Sequence, residues 1–119
     1  MSALKARIAD EMKAALLGRH RFRGDVLRSL KAAILNEEVS LGKRDEGLSD
    51  TEVEKVIARE VKKRKESATL YRANGRAELA ESEEKEAAIL QEFLPKQLSE
   101  DEIRVMVEAA VAEIGRAHV

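Results

Sequence analysis

Four consecutive basic residues, Lys62-Lys63-Arg64-Lys65, form the densest run of one charge sign in this sequence. Such side chains hold phosphate or carboxylate oxygens, Arg through a planar fork and Lys as a point charge. On a helix, four residues at roughly 100° each spread over about 300°, so the run cannot grip a single line of phosphates. Lys55, Arg59 and Lys62 fall roughly in line, and Lys63 aligns with Arg59. Lys65 completes this zone, while Arg28 and Lys31, with Arg19, Arg21 and Arg23, make a second one. Arg64 falls on an inward stripe with Ile57, Val61 and Ala68 and is expected to pair with a carboxylate of the following helix. The candidates for holding an anionic partner are therefore Lys55, Arg59, Lys62, Lys63, Lys65, Arg28 and Lys31. The alternative is a solvated surface in which each exposed ion pair contributes about 0–1 kcal/mol.

Other chemistries find no constellation. With no Cys there is no thiol nucleophile and no Cys-ligated zinc. No glycine-rich loop joins a strand to a helix, and no Gly-x-Ser-x-Gly elbow occurs. His20 and His118 are isolated, and Glu83 with Glu86 lacks the Glu-x-x-His motifs of a di-metal bundle. No catalytic residue, metal or cofactor is expected. The three aromatics are Phe22, Tyr71 and Phe93, the last two on apolar stripes, which leaves little surface for stacking bases. Any nucleic-acid contact is expected to be with backbone and shape.

The elements that carry these residues are helices. In 119 residues, 44% are hydrophobic and 38% charged, with one Pro and six Gly, a composition that excludes collagen-like and disulfide-scaffold classes. Apolar runs are too short to span a membrane, no signal-peptide pattern opens the sequence, and a cytoplasmic location is expected. Leu4, Ile8, Met12 and Ala15/Leu16 stripe a first helix ending at Gly18. Arg19 to Gly24 reads as a connector, with Asp25 opening a second helix striped by Val26/Leu27, Leu30 and Ala33/Ile34. Leu48-Ser49-Asp50-Thr51-Glu52-Val53 and Leu98-Ser99-Glu100-Asp101-Glu102-Ile103 each read as a capping box with a hydrophobic staple. The helix from Ser49 runs to about 73, where Asn74-Gly75 turns it into an antiparallel partner over about 77–93. Pro95 stops that helix. A last helix, 100–114, is expected to end at Gly115. The expected architecture is all-α: an antiparallel helical bundle over 1–94, then a hinge and a further helix over 95–119.

Charge follows these elements. Residues 53–76 hold eight basic and three acidic side chains, and 77–102 hold two basic and nine acidic, within a net charge of −1. Lateral cancellation across the antiparallel pair is one use of this asymmetry; a basic face beside a repulsive acidic one is the other.

Two runs carry a resemblance. The first is Arg28-Ser29-Leu30-Lys31-Ala32-Ala33-Ile34-Leu35-Asn36-Glu37-Glu38. The second is Lys62-Lys63-Arg64-Lys65-Glu66-Ser67, Tyr71, Ala73, Gly75-Arg76, Leu79-Ala80, Glu83-Glu84, Glu86, Ile89-Leu90 and Phe93-Leu94-Pro95-Lys96-Gln97-Leu98-Ser99. Their order and spacing resemble the YqeY-like family, which is similar to the C-terminal tail of the GatB component of the glutamine-dependent aspartyl/glutamyl-tRNA amidotransferase. The resemblance implies a helical bundle followed by a small helical C-terminal domain, of which 95–119 would be the start; the chain is expected to be a truncated form. It also implies tRNA as partner, because that tail is associated with tRNA recognition, together with amidotransferase or other protein subunits. The family label is carbon–nitrogen ligase with glutamine as amido donor. No residue here could activate a carboxylate with ATP or hydrolyse glutamine, so the label reads as descent. A protein-interaction module, self-associating through the apolar face of 103–114, is the competing reading.

Overall fold

The computed structural model describes residues 2–95 and 100–117. Among them the chain is all-α, without a strand: α1 (Ala3–Leu17), α2 (Arg21–Ser40), α3 (Asp50–Ala73), α4 (Ala77–Gln91) and α5 (Glu100–Ala117). α3 starts where its local chemistry predicts. Ser49 Oγ accepts from the Glu52 amide at 3.2 Å, and the Glu52 carboxylate accepts from the Ser49 amide at 3.0 Å. Leu48 and Val53, the staple pair, are both buried. The matching box at Leu98-Ser99 lies outside the described residues, and Ile103 is exposed.

Other boundaries depart from expectation. α2 begins at Arg21, four residues before Asp25, so most of the basic connector is helix. Gly24 is buried against α1, where a Cβ would stand 2.5 Å from Leu16 Cδ2. Its lack of a side chain serves helix–helix approach, not a turn. Gly18 does cap α1, but the left-handed residue is Arg19, with φ 63°. α4 ends at Gln91 because the amides of Phe93 and Leu94 turn back to the Leu90 and Gln91 carbonyls, a tightened last turn that drops Phe93 into the core. Gly115 does not stop α5, which continues to Ala117.

α3 and α4 form a hairpin closed at Gly75, whose φ of 73° suits a residue without Cβ. α1 and α2 form the other, and the two pack through α2 and α3. The core they share is Ile8, Leu27, Leu30, Ile34, Val53, Val56, Ile57, Leu90 and Phe93. Fully burying one such side chain is worth about 1.5–3 kcal/mol. Every one of them comes from the predicted stripes. α5 differs, since no side chain from 100 to 115 is buried.

Candidate functional site

Once the core stripe of α3 is fixed, the helical repeat aims every other residue of it. The seven basic candidates separate into three groups. Lys55, Lys62 and Lys65 line an open groove on the α4 side of α3. Its two hollows, about 430 and 360 Å³, share Ala58, Gln91 and Leu94 and so run into one another. Lys55 and Lys62 lie seven residues apart, about 10.5 Å along the axis. Lys55 and Lys65 make no ion pair with any described residue, and Lys62 meets Glu66 only at 4.0 Å, both side chains well exposed. Glu54 and Glu66 also line the groove, so its lysines dominate without being alone.

Arg59 and Lys63 face the other way, into a groove of about 500 Å³ between α2 and α3 that Ser29, Asn36 and Ser40 also line. Both have intramolecular partners. Arg59 Nη2 sits 2.8 Å from Glu37 Oε2, and Lys63 Nζ 3.7 Å from Glu60 Oε2. Arg64 is turned inward as its stripe predicts. Its Nη1 donates to Glu60 Oε1 at 3.0 Å, while Nε faces Glu86 Oε1 of α4 at 3.7 Å, too far for a hydrogen bond. Burial pushes the Glu86 carboxyl up, neighbouring Glu83 adds to that, and Arg64 offsets only part of it.

The family model for the Yqey-like protein matches residues 5–119 of this sequence. The chain belongs to the Yqey-like family. It is also 29% identical over 92 residues to altered inheritance of mitochondria protein 41, mitochondrial, from Clavispora lusitaniae, an alignment covering 77% of this chain and 52% of that protein. The Yqey-like chain thus spans about half the length of the curated relative it matches. That relative's name is mitochondrial, so it lends nothing to the cytoplasmic expectation. No helix of the described residues is long and apolar enough to cross a membrane.

Arg28 and Lys31 of the Yqey-like chain join neither groove. Arg28 is exposed, 3.9 Å from Asp25, and Lys31 lies about 160° round α2 from Ser29 and Ala33. The two basic zones of the sequence are therefore not one surface. Among the described residues, no three His, Asp or Glu side chains gather where they could hold a metal ion.

Charge counting did not single out Thr51, Ala58, Thr69 and Gln91, which complete the lysine groove. A signal for the first three was present: Thr51, Lys55, Ala58, Lys62, Lys65 and Thr69 advance by 4, 3, 4, 3 and 4 residues, a single line along a helix.

Proposed function

We propose that this Yqey-like chain is a non-catalytic RNA-binding module whose target is a tRNA, held by its sugar-phosphate backbone along the α3/α4 groove. The observation that carries this reading is the placement of Lys55, Lys62 and Lys65 on one open flank, without close intramolecular partners. The similarity of the family to the amidotransferase tail supports tRNA over other polyanions. Phe93, which is buried, and Tyr71, which is half-buried, offer no open ring for stacking, so the contact is with backbone.

The test is fluorescence anisotropy of labelled bulk tRNA at about 50 and 200 mM salt. The wild-type chain is expected to bind at the lower salt and to weaken steeply at the higher. Replacing Lys55, Lys62 and Lys65 together by Ala should lower the magnitude of the log–log salt slope by about 2, since each phosphate contact contributes roughly 0.7–0.9. Replacing Arg59 and Lys63 should leave the slope nearly unchanged, because those cations are already occupied. Absence of binding at low salt, or equal effects from the two variants, overturns the assignment.

A further inference from the structure

The lysine groove has a second property that charge alone does not explain. Its line of residues, with the 4-3-4-3-4 advance, has the spacing with which one helix presents a straight seam to another. Ala58 forms an exposed, low floor in the middle of it, and Leu94 and Pro95 supply an apolar wall. From Thr51 to Thr69 the seam extends about 27 Å at 1.5 Å per residue.

α5 matches this seam in length, in pattern and in charge. It has 18 residues, again about 27 Å. Ile103, Val107, Ala110 and Ile114 advance by 4, 3 and 4, and the flanking Met106 and Val111 widen the stripe. Its large apolar side chains are 48–63% exposed, far more than the bundle stripes allow. Residues 100–115 hold five carboxylates against Arg104 alone, and Glu100 and Glu113 fall within about 90° of the apolar line, where they would reach lysine ammoniums.

A chain that presents both a helix and the seat for it, with neither covered, meets the condition for reciprocal pairing about a two-fold axis. We infer that α5 seats in the α3/α4 groove of a second copy, each protomer giving one helix and receiving one. The apolar line packs on Ala58, Leu94 and the lysine stems, and the carboxylates meet Lys55, Lys62 and Lys65. This docking does not depend on the RNA reading. Its consequence for that reading is competition, because the dimer covers the same three lysines.

The sequence lacks cysteine, so engineered pairs report without background. Chains carrying Ala58→Cys are mixed with chains of different mass carrying Val107→Cys, Ala110→Cys or Val111→Cys, and the mixture is mildly oxidised. All four positions are exposed, so the bundle should tolerate them. The expected product is a mixed disulfide dimer, formed at least about tenfold more slowly when Lys55, Lys62 and Lys65 are all reversed to Glu. A second measurement uses the unmodified chain: sedimentation equilibrium should show a monomer–dimer transition that Met106→Glu with Val107→Glu abolishes. A disulfide that forms only within one chain carrying Ala58→Cys and Ala110→Cys overturns the exchange and assigns α5 to its own bundle. A chain that stays monomeric up to about 1 mM overturns it as well, since that bounds any pairing below about 4 kcal/mol.

Discussion

Glu38 shows what a single charged residue on a core stripe does in this fold. Leu27, Leu30, Ile34 and Glu38 advance by 3, 4 and 4, so the helical repeat carries a carboxylate into the interior, where it is 2% exposed. It survives there by accepting from Lys5 Nζ at 2.6 Å and from the Leu48 amide at 3.1 Å. Burial pushes its carboxyl up, but Lys5, the Leu48 amide and Arg44 outweigh burial, and the group stands below its ordinary value. One side chain thus ties α1, the end of α2 and the staple that opens α3. Glu38→Ala should cost about 2–3 kcal/mol, because it strands a buried amide and a half-exposed ammonium. Glu38→Gln should cost less, since its amide oxygen still accepts from Leu48. Urea denaturation of the three chains checks the order, and a Glu38→Ala midpoint equal to wild type would mean the pair adds nothing.

At the scale of elements, the α1–α2 contact turns on Gly24. An alanine there adds helix propensity of about 1 kcal/mol but drives a Cβ into Leu16, and overpacking of this kind costs about 1–3 kcal/mol. Gly24→Ala should therefore destabilise the wild-type chain, yet stabilise a Leu16→Ala chain in which the space has been emptied. A double-mutant cycle by thermal melting reads this reversal of sign, and Gly24→Ala that stabilises both backgrounds would show that Leu16 simply swings aside. The same glycine marks the limit of what local pattern conveys. The capping box at Ser49 and the turn at Gly75 were legible because their causes lie within a few residues. Arg21 to Gly24 read as a connector because the reason for Gly24 is Leu16, on another helix. The site divides likewise. Its lysines were visible as charge, and the inward turn of Arg64 followed from the stripe. Which flank of α3 each cation occupies depends on where α2 and α4 pack, which no spacing within 55–65 encodes.

Over the whole molecule, ion pairs and caps clamp the ends of the helices, and their carboxylates set how the fold meets acid. Glu52 is held at about 2 by the Lys43 ammonium, 2.7 Å away, and by the Ser49 amide of the capping box. Asp50, bonded by Ser2 and the Leu4 amide across to α1, is also lowered. Glu11 is lowered too: burial works against it, but Arg7 and Arg23, both lying over the Phe93 ring, prevail. Glu38 makes a fourth. Once unfolded, these groups return towards their ordinary values near 4 to 4.5. Between there and about 2, the unfolded chain therefore binds more protons than the folded one, so acid draws the equilibrium towards unfolding. Glu86 acts in the opposite sense, since its raised carboxyl takes up its proton more readily folded, but it is one group against four. The urea midpoint should hold steady from neutral pH down to about 5 and then fall continuously towards pH 2. Glu52→Gln keeps the capping-box acceptor and removes the titrating charge, so its curve should fall less steeply over the same range while α3 still starts at Asp50. A midpoint that rises on acidification would mean that repulsion among the carboxylates of α4, not the clamps at the helix ends, governs the acid limit of this bundle.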